Sequence, residues 1–195
     1  IALLRKKDGG FRPIGLIPLL PRVWMRLRRS LLVDWEKSND RSDLYAGRGR
    51  GADSASWKQT ARAEAACTIG GHHGMVLLDL QKAFENISHQ LPVREAVALG
   101  YPLAILRLAL STYRLLSAIK VGCACSDLLQ ATVGIAAGSA MATAEMRVVL
   151  IRLIDAARIR FGSVIPTVYV DDISSEAMHR SKQLLCQQVV GFNLL

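Results

Sequence analysis

The chain has 195 residues, 51% of them hydrophobic, and a formal net charge of +9 with a pI of about 9.8. That length fits one domain, or one domain with a lobe, and leaves enough apolar side chains for a sizeable core. No apolar run approaches the ~20 residues of a membrane span, since Val148-Val149-Leu150-Ile151 meets Arg152 at once, and the basic balance favours a polyanionic partner, nucleic acid ahead of anionic membrane.

The chain opens at Ile1 with neither Met nor a charged-then-apolar leader, so we expect a piece of a longer protein without a signal peptide. Residues 1–17 are expected to form a β-hairpin, with Leu3-Leu4-Arg5-Lys6-Lys7 and Phe11-Arg12-Pro13-Ile14 flanking the turn Asp8-Gly9-Gly10. Residues 18–37 read as one helix: Pro18 or Pro21 suits its first turn, and Val23, Trp24, Leu27 and Leu31 repeat at helical spacing. Arg22, Arg26 and Arg29 share one face of it, either as a track for a phosphate backbone or as a solvated stripe. Residues 38–51 are polar and end in Gly47-Arg48-Gly49-Arg50-Gly51, a loop that is either a basic finger on nucleic acid or a flexible connection.

Residues 52–66 are Ala-rich and predict a helix with Asp53 or Ser54 as N-cap. Gly70-Gly71-His72-His73-Gly74 is expected to break the chain before a strand over 75–80, leaving both histidines in a solvent-facing loop. A short helical turn over 82–87, a helix over 89–98 and a helix over 102–115 follow, punctuated by Gly100-Tyr101-Pro102. Residues 117–121 and 127–133 predict a hairpin around 122–126, and 134–138 a loop. Residues 139–160 form the longest helical candidate, spiked by Arg147, Arg152, Arg158 and Arg160, and a last helix is expected over 179–190. The mixture is α+β, a few strands covered by helices. Cys67, Cys123, Cys125 and Cys186 lack the usual zinc spacing and read as reduced intracellular thiols.

Three carboxylates carry the strongest chemical signal. Tyr169-Val170-Asp171-Asp172 follows the β-rich run Ser163-Val164-Ile165-Pro166-Thr167-Val168, and Met75-Val76-Leu77-Leu78-Asp79-Leu80 ends another apolar run in Asp79. Side chains alternate along a strand, so Asp171 and Asp172 point to opposite faces unless the chain turns between them. A tight turn would hold Asp171 at its tip, facing Asp79. Two such carboxylates can hold paired Mg²⁺ ions about 3.5–4 Å apart for in-line phosphoryl transfer. A lone Asp-Asp after a strand is otherwise an ordinary turn.

In one order along the chain stand Leu3-Leu4-Arg5-Lys6-Lys7-Asp8-Gly9-Gly10-Phe11-Arg12-Pro13-Ile14, Leu78-Asp79-Leu80-Gln81-Lys82-Ala83-Phe84-Glu85-Asn86-Ile87, Gly134-Ile135-Ala136-Ala137-Gly138-Ser139 and Tyr169-Val170-Asp171-Asp172. Together they resemble a reverse transcriptase, most like those of non-LTR (LINE-type) retrotransposons, over nearly the whole chain. The resemblance implies right-hand polymerase fingers and palm, a small antiparallel sheet packed by helices, with the thumb absent. It implies a fingers-like segment over 1–70 and a palm over 71–195, with 102–133 contributing to the fingers.

The resemblance further implies catalytic roles for Asp79, Asp171 and Asp172, with Asp79 and Asp171 on two Mg²⁺ ions and Mn²⁺ as an alternative metal. Phe84 matches the steric gate that favours deoxynucleotides. Arg12, assisted by Lys6 or Lys7, matches the cation on the incoming triphosphate, a task that suits a bidentate guanidinium. Gly138 and Ser139, with Gly134, match the loop bordering template and nucleotide. Arg22, Arg26, Arg29, Arg48 and Arg50 become candidate nucleic-acid contacts. The partners implied are an RNA template, a DNA primer, deoxynucleoside triphosphates and the flanking domains of a longer retroelement polyprotein, with no membrane, in nucleus or cytoplasm by analogy.

The chain departs from the pattern at Ala137, where the family has Gln, and at Glu85, where Asp is common. Ile173-Ser174-Ser175-Glu176 is more polar than the strand expected there, and little chain follows it. These departures keep open a catalytically inactive nucleic-acid-binding remnant. Phe84 and the Tyr-Val ahead of the paired aspartates argue against an RNA-copying RNA polymerase.

Overall fold

The computed structural model describes residues 1–7, 9–47 and 49–193, and their side chains except those of Arg12 and Asn193. It is a mixed α+β protein with two small sheets. The chain divides into two compact units that interleave in sequence: residues 1–39 with 82–149, and residues 40–81 with 150–195.

The first unit opens with strands β1 (Ala2–Arg5) and β2 (Phe11–Ile14), an antiparallel hairpin pairing Leu4 with Arg12. Gly9 sits in its turn at φ +89°, which only glycine adopts without strain, and the Lys6 amide donates to the Gly10 carbonyl at 2.7 Å. Helices α1 (Leu19–Leu27) and α2 (Arg29–Ser38) follow. The single helix expected over 18–37 is thus two, because Arg28 leaves helical geometry at φ −93°, ψ 3°. Their buried residues are Met25, Leu32 and Trp35; of the four that repeat at helical spacing, Val23, Leu27 and Leu31 are exposed and Trp24 is half-buried. Trp35 decides the orientation: its indole donates to the Leu99 carbonyl at 3.0 Å and its ring meets Tyr101 edge-on, centroids 5.0 Å apart.

The second unit begins in the loop after Asn39 and continues through helix α3 (Ala52–Thr68) and strand β3 (His72–Asp79). Gly51 takes the N-cap position of α3 in extended geometry without a side-chain bond, and Asp53 lies in the first turn, where it complements the helix dipole. The N-cap role expected of Asp53 or Ser54 is therefore not filled by either. His72 and His73 belong to β3 rather than to a loop, because the ladder with the later strand runs on to the pair His72–His179.

The chain returns to the first unit with α4 (Ala83–Asn86), α5 (Gln90–Ala98), α6 (Leu103–Tyr113), β4 (Lys120–Val121) and β5 (Ala124–Cys125). β4 runs parallel to β1, giving the sheet order β2-β1-β4-β5. The hairpin expected over 117–133 is shorter. The two-residue turn Gly122-Cys123, with Gly122 at φ +58°, puts β5 inside the segment expected to turn, and 127–133 pairs with the 117–121 segment only through the Ser117–Leu129 bridge. The core of this unit joins Met25, Leu32 and Trp35 to Ile105, Leu106, Ala109 and Met146.

Helix α7 (Ala142–Arg160) starts in the first unit and ends in the second. It starts later than position 139, because the Ser139 hydroxyl accepts the Met141 amide at 3.1 Å in the approaching turn. Strands β6 (Ile165–Tyr169) and β7 (Asp172–His179) and helix α8 (Lys182–Asn193) complete the second unit. Its antiparallel sheet has the order β3-β7-β6. Ala157, Val164, Ala177, Leu185, Val189 and Phe192 form its core, with Val76 and Phe161 against them. Among the described residues no helix is long and apolar enough to cross a membrane.

Candidate active site

The three candidate carboxylates all lie in the second unit, at one end of its sheet. β6 ends at Tyr169 and β7 begins at Asp172, which pair with each other, so Val170 and Asp171 form a two-residue turn. Val170 has φ +61°, an unusual conformation for a β-branched residue that costs on the order of 1–3 kcal/mol. The surrounding ladders hold it there. On one side β6 and β7 pair over five rows. On the other, the Tyr45 amide donates to the Val168 carbonyl and the Val168 amide to the Asp43 carbonyl, both at 2.8 Å.

The ladder between β3 and β7 ends on the pair Asp79–Asp172. Directly opposed residues of neighbouring strands share a face, with Cβ atoms roughly 4.5–5.5 Å apart. Both side chains are exposed, and Asp171 follows in the turn, half-buried. The tip position expected for Asp171 is thus occupied by it, but the residue opposite Asp79 is Asp172, because the turn consumes Val170 and Asp171 together. Two like charges directly opposed are unfavourable without a compensating cation. Their hard carboxylate oxygens are the donor type that Mg²⁺ takes. Among the described residues no three His, Cys, Asp or Glu side chains converge as a metal-holding group.

The same face of the sheet is fixed from behind the pair. Leu77–Ser174 and Met75–Glu176 are the next rows on that face. Gln59 of α3 donates to the Ser174 hydroxyl at 2.6 Å, Arg62 of α3 bonds Glu176, and His73 meets the other Glu176 oxygen at 3.0 Å. The polar run 173–176, unexpected for a strand, is buried because α3 and β3 supply partners for Ser174 and Glu176.

The loop after Asn39 is pinned at Arg41, Asp43 and Arg50. Arg50 bonds Asp40 at 2.8 Å and the carbonyls of Arg41 and Leu44. Arg41 pairs with Asp155 and Arg158 with Asp43, at 3.0 and 2.8 Å. Arg50, expected on nucleic acid, is committed to its own loop. Arg48 lies outside the described residues, as does the side chain of Arg12, whose backbone stands opposite Leu4 in β2.

The remaining candidates lie in the first unit. Lys6, Arg22 and Arg26 are exposed. Arg29 belongs to α2, apart from Arg22 and Arg26 on α1, and donates to the Ala140 carbonyl at 3.2 Å. Phe84 is half-buried in the single turn of α4, entered through Lys82 at φ +51°. Gly138 packs so closely on the Gly15 carbonyl that any Cβ would overlap it, so the loop itself needs this glycine. The Ser139 hydroxyl is occupied by the Met141 amide. Gly134 to Ala137 wall a largely apolar cleft of about 840 Å³ with Leu16, Tyr113 and Leu116.

Several functional candidates lie outside those the sequence singled out. His89 is buried between the Gly134 carbonyl at 2.8 Å and the Arg114 guanidinium at 3.1 Å, partners 45 and 25 residues away. Glu145 of α7 is fully buried and accepts the Tyr113 hydroxyl at 2.7 Å, while its other oxygen and the Tyr101 hydroxyl have no partner among the described residues. Burial pushes the Glu145 carboxyl up to about 7, against the pull of the Tyr113 bond. Both tyrosines are raised above the usual range by burial and by the neighbouring Glu145. Met141, Ala142, Val148 and Val149 flank Glu145 at helical spacing, so it lies on an apolar face of α7.

No protein-family model matches this chain, and no curated protein is similar to it in sequence.

Proposed function

We propose that this chain is the polymerase portion of a reverse transcriptase, performing template-directed DNA synthesis on RNA by two-metal nucleotidyl transfer within a longer retroelement protein. The observation that carries the reading is the sheet end: Asp79 and Asp172 opposed on one face, with Asp171 in a strained two-residue turn beside them. Strain held at such a turn is characteristic of functional sites. The basic balance of the chain suits a nucleic-acid substrate.

In this reading Asp79 and Asp171 would hold two divalent cations, Mg²⁺ first and Mn²⁺ second, with Asp172, opposite Asp79, as the third catalytic carboxylate. When bound, these metals lower the pKa of the attacking hydroxyl and neutralise developing phosphate charge. The primer 3′-hydroxyl displaces pyrophosphate from the α-phosphorus of a deoxynucleotide. The resemblance assigns the sugar preference to Phe84 and the triphosphate to Arg12 and Lys6, and base pairing supplies sequence choice. Ala137 favours a second reading, a nucleic-acid-binding remnant without turnover.

The test is Mg²⁺-dependent extension of a DNA primer on an RNA template, with Asp79→Asn and Asp171→Asn alongside. The amide keeps the shape and removes the charge, so we expect extension to fall about a hundredfold or more while template binding persists. Extension that survives both substitutions overturns the metal role. Binding without extension by the unsubstituted chain selects the remnant.

A further inference from the structure

The outer edge of β6 carries a short addition from the loop that precedes α3. Val168 directs its amide and carbonyl to that edge, and both are met at 2.8 Å: the amide donates to the Asp43 carbonyl, and the carbonyl accepts the Tyr45 amide. Leu44, between them, forms a single parallel bridge with Val168. Asp43 is buried, and its carboxylate is held from two sides. Arg158, in the last turn of α7, donates to one oxygen at 2.8 Å, and the Ser42 hydroxyl donates to the other at 3.2 Å. Asp43 thus joins α7 by its side chain to β6 by its backbone. These residues and the turn they support all belong to the second unit.

Val168 stands two residues before Val170, whose φ of +61° is the strained point of the turn that carries Asp171. β6 is an end strand of its sheet, so β7 supports it on one side and the 43–45 segment on the other. Burial of Leu44 and Tyr45 keeps that segment against the unit, but apolar burial is non-directional. The directional tie is Asp43 to Arg158. A buried carboxylate that loses its cation is left uncompensated and must reach water, which draws the segment off Val168. The strained turn then has support on one side only and relaxes. We propose that Asp43 and Arg158 are positioning residues for the Asp171 carboxylate: by holding the 43–45 segment on Val168 they set where Asp171 stands for a divalent cation. The assignment rests on the metal site of the proposed polymerase. Groups that orient a metal-holding side chain from outside the coordination sphere change metal affinity by about 10- to 100-fold when removed.

The experiment titrates the chain with Mn²⁺ and reads the loss of the free-ion electron paramagnetic resonance signal, at a temperature where every variant is folded. We expect Arg158→Met to weaken the Asp171-dependent binding about tenfold, and Arg158→Lys, which keeps a cation for Asp43, to hold it within about twofold. Combined with Asp171→Asn, Arg158→Met should weaken Mn²⁺ binding no further, since the pair acts through that carboxylate. Arg41 pairs with Asp155 on the same helix but makes no hydrogen bond to β6 among the described residues. Arg41→Met should therefore lower the melting temperature and leave Mn²⁺ binding unchanged, which separates positioning from loop stability. If Arg158→Met does not fold, Asp43→Asn, which keeps the shape of the side chain and an oxygen for one donor, should shift binding in the same direction by a few-fold. Mn²⁺ binding unchanged in Arg158→Met and Asp43→Asn, or weakened as much in Arg41→Met, overturns the positioning role alone. An unsubstituted chain that binds no Mn²⁺, or whose binding ignores Asp171→Asn, overturns the metal site and this role with it.

Discussion

Glu145 shows how one side chain can set a pH dependence. Its carboxyl is raised to about 7 in the folded state, above the 4.5 of an exposed glutamate, with burial the main cause. Between about pH 4.5 and about pH 7 the folded chain therefore keeps a proton that the unfolded chain releases. Stability must fall as pH rises through that window, by up to about 3 kcal/mol, and level off above it. Glu145→Gln keeps an oxygen for the Tyr113 hydroxyl and has nothing to ionise. We expect the substituted chain to lose that slope and to melt higher than the original at neutral pH. Melting curves of the two that run parallel from about pH 5 to about pH 8 would remove Glu145 as the source. Val170 is the opposite kind of residue: its strain is visible only in the backbone, and nothing in Tyr169-Val170-Asp171-Asp172 as a string announces which residue takes positive φ.

At the scale of elements, β7 is the case where local pattern and tertiary context disagree. It is the central strand of its sheet, yet it buries Ser174, Ser175 and Glu176. Glu176 is tolerable because Arg62 and His73 reach its two oxygens. Removing one partner of a buried pair leaves an uncompensated charge, whereas replacing the pair by apolar groups need not cost anything. Arg62→Met should lower stability by about 3 kcal/mol, and Arg62→Met combined with Glu176→Leu should recover most of that loss in urea unfolding. A double variant less stable than Arg62→Met would deny the coupling. Ser-Ser-Glu reads as polar in sequence because its compensating residues come from α3 and β3, more than a hundred positions away. The β1–β2 hairpin, α3, α5 and α6 were legible because the glycines and prolines that bound them and the alanines of α3 act within a few residues. The division of 18–37 into two helices, the exposed Val23-Leu27-Leu31 stripe and the histidines inside β3 were not, because Trp35–Tyr101 packing and the β3–β7 ladder decide them. Of the candidate site, alternation separated Asp171 from Asp172 only in the absence of a turn, while the two-residue turn itself and the pairing of Asp79 with Asp172 needed the register.

For the whole molecule, the net charge of +9 does not say which cations are available to a partner. The chain leaves and re-enters each unit, a division that no linker composition marks, and its charges are used unequally. Arg41, Arg50, Arg62 and Arg158 are held by Asp155, Asp40, Glu176 and Asp43. Arg22 and Arg26 stand exposed one turn apart on α1, where both can follow a phosphate backbone. Removing one cation from a phosphate reduces the slope of log affinity against log salt by about 0.9 on a duplex and about 0.7 on a single strand. Arg22→Ala with Arg26→Ala should therefore flatten the salt dependence of template binding by between about 1.4 and about 1.8. Arg50→Ala should leave that slope alone and instead lower the melting temperature, because it removes the bonds by which Arg50 closes its own loop on Asp40, Arg41 and Leu44. Titrations of a labelled RNA–DNA hybrid across a range of salt concentrations read the slopes, and thermal melts read the stability. A slope that responds to Arg50 and not to the α1 pair would transfer the binding face from α1 to the loop, and would mean that the internal bonds of Arg50 give way to phosphate.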